Sequence, residues 1–285
     1  MRATSILHRA RHQQGVTLPE LMIGLALGLL ISAAALGLLW GSERTQRTAR
    51  ALAQMSEDAS LAHQILRHHL SLAGWQMPAD ESLGSRPMAL FACQGGVSAD
   101  TEAAPMSEWH CLDTSGPDAL IVRYEADLHN TLPTVDHEPT DCLGHHVDPA
   151  PTDTPSAHPR TWVDNRFAVK AGALRCKGPG LGPAQPMVDN ILDMQIQLGL
   201  SAAPAASSGP ARVAHYLSPH DMGPVGDARW QRVRAVRICL LIRSLTPLTE
   251  APTTYQDCEG HTQTAPTTHL YRTYTQTVLL PNVAP

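Results

Sequence analysis

Aromatic side chains are scarce in this sequence: 285 residues carry two Phe and an aromatic share of 4%. Its core must therefore be built mainly from Leu, Val, Ile and Ala. Positive charge is short as well. The net charge is −5 and no basic patch follows the N-terminus, so a nucleic-acid partner lacks its electrostatic footprint. Signatures of catalysis are absent. There is no G-x-S-x-G elbow and no H-E-x-x-H helix. Gly178-Pro179-Gly180-Leu181-Gly182 lacks the Lys-Ser/Thr of a phosphate loop and reads as a turn. No C-x-x-C spacing marks a zinc site, and no internal repeat is visible. Nothing here argues for an enzyme, a cofactor or a metal.

Proline and glycine, by contrast, are plentiful (23 and 20), which implies many loops around a modest core. Such a domain gains from covalent help, and six cysteines are available: Cys93, Cys111, Cys142, Cys176, Cys239 and Cys258. An even count beyond a membrane-targeting segment suits an oxidising compartment. Many pairings are open. Nearest-neighbour pairing (93–111, 142–176, 239–258) would staple three successive loops. Histidine is also frequent, densest in Cys142-Leu143-Gly144-His145-His146-Val147-Asp148, but that spacing fits no zinc pattern and reads as a solvated loop. His68-His69 falls on a helix, where both read as surface residues.

Residues 1–15 (MRATSILHRARHQQG) hold Arg2, Arg9 and Arg11, no acidic residue, and no apolar core of a secretory signal. Val16–Trp40 then runs long enough to cross a bilayer. Basic residues ahead of it predict a cytoplasmic N-terminus with the remainder outside the inner membrane. One charge, Glu20, lies inside the run, and no other follows until Glu43. A carboxylate in hydrocarbon costs about 2.5–3.5 kcal/mol on insertion scales, so a plain anchor has no reason to carry it. Gly24, Gly28 and Ser32 repeat every four residues, a stripe that permits close helix packing. Pro19 is tolerated near a first turn, which predicts a helix start close to Val16.

Leu52, Met55, Ala59, Ala62, Leu66, Leu70 and Ala73 continue at three- and four-residue steps, with Gly74 as a cap and Pro78 as a stop. Residues 16–73 thus predict one nearly continuous helix, its outer half laid by an apolar face on a globular domain. The expected divisions are 1–15, a membrane helix over 16–40, its amphipathic continuation over 41–74, and a β-rich domain over 75–285. Candidate strands are Ala119–Glu125, Thr161–Lys170, Ile191–Leu200, Val233–Ile242 and Leu270–Leu280. No helical pattern alternates with them, so the sheet should be antiparallel and the class α+β. Loops are expected over 126–160 and 201–229, with Ser201–Pro210 low in complexity.

A basic polar leader ending in Gly15, followed by Thr17, Leu18, Glu20, Leu21 and Met22 at the head of an apolar helix, resembles the class III signal of type IV prepilins and type II secretion pseudopilins. Val16 stands in place of the usual Phe and Pro19 in place of an aliphatic residue. The resemblance implies a membrane peptidase that cuts between Gly15 and Val16 on the cytoplasmic side and N-methylates Val16. Further segments resemble the PilW-type minor pilins: Leu72-Ala73-Gly74-Trp75, Ala173-Leu174-Arg175-Cys176, Val188–Gly199, Arg234–Ile238 with Leu240–Ser244, and Tyr274–Asn282. This implies a protruding N-terminal helix packed on an antiparallel β domain, and a role in starting type IV pilus assembly near the tip. Implied partners are other minor pilins, the major pilin, the prepilin peptidase and the inner-membrane assembly platform, with the inner membrane holding the chain before extraction. Glu20 would then neutralise the Val16 ammonium of a neighbouring subunit. Two alternatives stay open: a minor pseudopilin of type II secretion, and an anchored extracytoplasmic binding or catalytic domain.

Overall fold

The computed structural model describes residues 15–77, 88–98, 104–149, 160–180, 182–202 and 212–283. The leader up to Gln14, the stop at Pro78, residues 150–159 and residues 203–210 of the low-complexity tract lie outside the described residues. Two compact units are distinguished, Met1–Arg50 and Ala51–Pro285.

One helix, α1, spans Leu18–Leu72. It starts two residues later than the expected Val16 because Thr17 serves as its N-cap, accepting the first helical bond from Leu21 N–H at 3.2 Å. Pro19 falls in the first turn, where its missing N–H has no intrahelical partner to lose. In the first unit the apolar residues Leu18 to Trp40 are all exposed. In the second unit the helix becomes amphipathic. Met55, Ala59, Ala62, His63, Leu66, His69 and Leu70 are buried, on the face that the three- and four-residue spacing selects. At the C-terminus Gly74 takes φ +74°, the left-handed cap expected of it, and its N–H bonds to Arg123 O at 2.9 Å.

The second unit adds two antiparallel sheets and a short ribbon. The first sheet contains β1 (Leu90–Cys93), β2 (Ala119–Glu125), β3 (Trp162–Lys170), β4 (Ala173–Lys177) and β5 (Gln185–Asp189), in that order. The second runs β11 (Tyr271–Leu279), β8 (Val233–Arg243), β6 (Ile191–Ser201) and β7 (Val213–Leu217). β9 (Thr254–Gln256) pairs with β10 (Thr262–Thr264). The class is α+β. All five strands expected from sequence are present within about one residue of their bounds. β7 corrects the expected 201–229 loop: its five residues (VAHYL) are too few and too weakly buried, none of them fully, to show an alternation, yet it pairs with β6 through a register shift at Leu200/Ser201.

Between β5 and β6 the chain passes from one sheet to the other at Asn190, which adopts φ +65°, a conformation Asn tolerates better than most residues. Asp118 ties the two sheets. Its carboxylate accepts Gly95 N–H at 3.1 Å and Ile196 N–H at 2.8 Å. Apart from Tyr124 and Phe167, the largest fully buried side chains are Leu, Ile and Met, as the shortage of aromatics requires. Disulfides join Cys93–Cys111, Cys142–Cys176 and Cys239–Cys258, the nearest-neighbour pairs.

Candidate functional site

The site that the sequence singles out is the head of α1. Gly15 and Val16 are exposed and non-helical. Glu20, the third helical residue, turns its carboxylate back on the helix start: Oε2 accepts Thr17 N–H at 2.9 Å and the Thr17 hydroxyl at 2.8 Å. This is the carboxylate half of a capping box. It satisfies an amide that has no backbone acceptor and places negative charge at the positive end of the helix dipole. Thr17 is thus a functional residue that the assembly reading of Glu20 leaves without a role, although T-x-x-E ahead of an apolar run is itself a capping signal.

Beyond the cap, an 18-residue apolar window has none of its residues buried. A Cβ built on Gly24 or Gly28 meets nothing within 4 Å, and Ser32 is exposed. The small-residue stripe therefore lies open, and neither glycine is required by a contact among the described residues. Arg47 pairs with Glu43 one turn away, so the charges that end the apolar run sit on its far side from Glu20.

The other end of α1 is seated by a buried polar cluster. His69 Nδ1 lies 3.1 Å from Tyr124 Oη and 3.3 Å from Asn165 Nδ2, and Asn165 Nδ2 donates to Tyr124 Oη at 3.0 Å. Asn165 Oδ1 accepts Cys142 N–H at 3.0 Å. The expectation that His69 is a surface residue is corrected: it is 8% exposed and also meets the Phe167 ring at 5.1 Å. Burial, helped by neighbouring His68, drives its pKa down to about 3, so the ring is neutral. An amide NH₂ only donates, so Nδ1 accepts from Asn165 and the proton resides on Nε2. His68 is exposed, as expected.

The six cysteines are all consumed by disulfides. Cys142 is thereby removed from the His145–His146 group, where His146 instead contacts Glu138 and Asp148, each at 3.2 Å. Around the 178–182 turn, Lys177 Nζ donates to Gly180 O at 3.0 Å and Gly182 O at 2.6 Å. Carbonyls, not amides, converge there, the reverse of a phosphate cradle. Gly178 is fixed by contact, since a Cβ there would stand 1.7 Å from Asp141 Oδ2.

Two family models match the chain. Residues 162–282 match the family described as Type IV Pilus-assembly protein W, and residues 10–36 match the prokaryotic N-terminal methylation motif. The first match covers β3 to β11, and the second covers the capped head of α1. A solved type IV-like pilin from Thermus thermophilus aligns at 12% identity over 81% of this chain and 100% of its own, with a TM-score of 0.38. No curated protein matches the sequence.

Proposed function

Taking the chain as a PilW-type, type IV pilin-like protein, as its matches at 10–36 and 162–282 support, we propose that it is a minor subunit that helps to start pilus assembly and is incorporated near the fibre tip. The observation that carries this reading is the head of α1. A carboxylate is held at the first turn of the segment Leu18–Trp40 of α1, which is otherwise uncharged and fully exposed, four residues from the proposed cleavage point between Gly15 and Val16.

Cleavage there would create an α-ammonium at Val16, next to the Thr17 amide that Glu20 already binds. In a membrane this carboxylate is costly alone, and its capping bonds offset part of that cost within the chain. In a fibre, the same carboxylate would meet the N-methylated ammonium of a neighbour, so both charges are compensated only when subunits dock in register. The open Gly24–Gly28–Ser32 stripe would let neighbouring helices approach closely. The membrane segment would act as an anchor before extraction and as the packing helix afterwards, delivering the β domain to the outside of the fibre. Prepilin peptidase, the assembly platform and the other pilins are the partners this sequence of events requires.

Deleting the gene and scoring surface pili, twitching and exoprotein secretion together tests the reading. Loss of pili with secretion intact is expected. Loss of secretion with normal piliation would favour the type II pseudopilin alternative, for which the methylation motif fits equally well; the 162–282 match favours the pilus.

A further inference from the structure

The face of the first sheet that is turned away from α1 carries cations. Side chains alternate across a strand, so while Asn165 and Phe167 reach His69, Arg166, Ala168 and Lys170 of β3 point the other way. Register places Lys177 beside Arg166, and Ala119 and Arg175 on either side of Ala168. The two alanines leave a depression. A cavity of about 220 Å³ opens over it, walled on the far side by Val97 and Trp109, from the segment that Cys93–Cys111 closes, and by Leu112 just beyond it.

The side-chain chemistry of this cavity has one sign. Among the described residues, its polar side chains are those of Trp109, Arg166, Lys170, Arg175 and Lys177, all of which donate and none of which accepts. Among the described residues, Lys177 and Arg175 spend their hydrogen bonds on carbonyls (Gly180, Gly182 and Ala184) and form no ion pair. Lys170 is exposed at the rim. Trp109 is 5% exposed, and its Nε1–H has no hydrogen-bond partner among the described residues, a cost that a native fold rarely leaves unmet. The remaining lining is apolar.

We propose that this cavity binds a small monocarboxylate with an aromatic or aliphatic body. The body would lie between Trp109 and the Ala119–Ala168 floor, and the carboxylate would face Arg175 and Lys170. Charge-assisted bonds to a guanidinium and an ammonium supply the selectivity, while the volume, below the roughly 300–1,000 Å³ of drug-sized sites, limits the body to about ten non-hydrogen atoms. The inference stands independently of the assembly role.

The test uses the full chain in detergent micelles, with ¹⁵N-labelled tryptophan, and benzoate as the probe. The Trp109 indole resonance is assigned by Trp109→Phe. Benzoate is expected to shift that resonance saturably, with a Kd of about 0.1–1 mM. Benzyl alcohol, of similar size but neutral, should bind at least about tenfold more weakly, and Lys170→Gln with Arg175→Gln should abolish the difference. No saturable shift with benzoate, or equal binding of benzyl alcohol to the unsubstituted chain, overturns the proposal. Either result is read without relying on the variant's folding.

Discussion

Glu20 and Thr17 share one oxygen: Oε2 of the carboxylate accepts both the amide and the hydroxyl of the residue three positions before it. Glu20 therefore has a task within its own helix as well as the one proposed for it between subunits. The two tasks are separable by substitution. Glu20→Gln keeps a side-chain oxygen able to accept the Thr17 amide but removes the charge; Glu20→Ala removes both. If charge neutralisation drives docking, both variants lose fibre incorporation to a similar degree while remaining in the membrane, as read by immunoblotting of sheared fibres and membranes. Retained incorporation in Glu20→Gln alone would assign the residue to capping, whose loss costs about 0.5–2 kcal/mol.

Asn165 is the hub that seats α1 on β2 and β3. Replacing it by Ala leaves Cys142 N–H without its acceptor and takes a donor from both Tyr124 and His69. Each buried polar group left unpaired costs about 1–3 kcal/mol. Asn165→Ala is therefore expected to destabilise the full chain by at least about 2 kcal/mol in denaturant titration. A change below about 0.5 kcal/mol would contradict the network's role.

Two buried groups titrate in opposite senses. His69 has a folded pKa of about 3, below its ordinary 6.5, so the unfolded chain binds more protons between these values and stability is lost as pH falls through that window. Asp118 is pushed up to about 7 from 3.8, chiefly by burial and against the pull of the Ile196 and Gly95 amides. The folded chain then binds more protons, and stability is lost as pH rises from about 4 to 7. The contributions oppose one another between about pH 4 and 6.5, each with a slope approaching 1.4 kcal/mol per pH unit. His63 adds to the first and Asp193 to the second, both through burial. His69→Gln should therefore make stability fall more steeply with rising pH in this window, and Asp118→Asn should make it rise. Thermal melts across the window check the sign of each change, and an unaltered slope in both would contradict the account.

Gly178 owes its identity to Asp141. The Asp141 carboxylate occupies the space of a Cβ at 178 and, through Oδ1, caps the amides of Leu143 and His145 at 2.8 and 3.0 Å. Gly178→Ala must displace that carboxylate beside the Cys142–Cys176 bond. A loss of about 1–3 kcal/mol is expected, whereas Gly180→Ala, which meets nothing within 4 Å, should be near neutral. Paired chemical denaturation of the two variants reads the difference.

The long strands were legible because they alternate or run apolar over seven to eleven residues, from Ala119–Glu125 to Val233–Arg243. The short ones were not. β1 is four residues of uniform burial, β5 contains Pro186, and β9 and β10 have three residues each; their neighbours, not their own pattern, make them strands. His69 was obscured by its residue type. It sits three residues beyond Leu66 and four before Ala73, on the apolar seam, and a polar side chain there is accommodated only because Tyr124 and Asn165, far away in the chain, arrive to bond it. The cationic cavity depends on cross-strand register, which no linear spacing reveals.

The most direct measurement is mass spectrometry of the chain's N-terminal peptide from sheared surface fibres. A mature chain beginning at N-methylated Val16 is expected in that fraction. A chain that retains Met1 and is found only in the membrane fraction would contradict it.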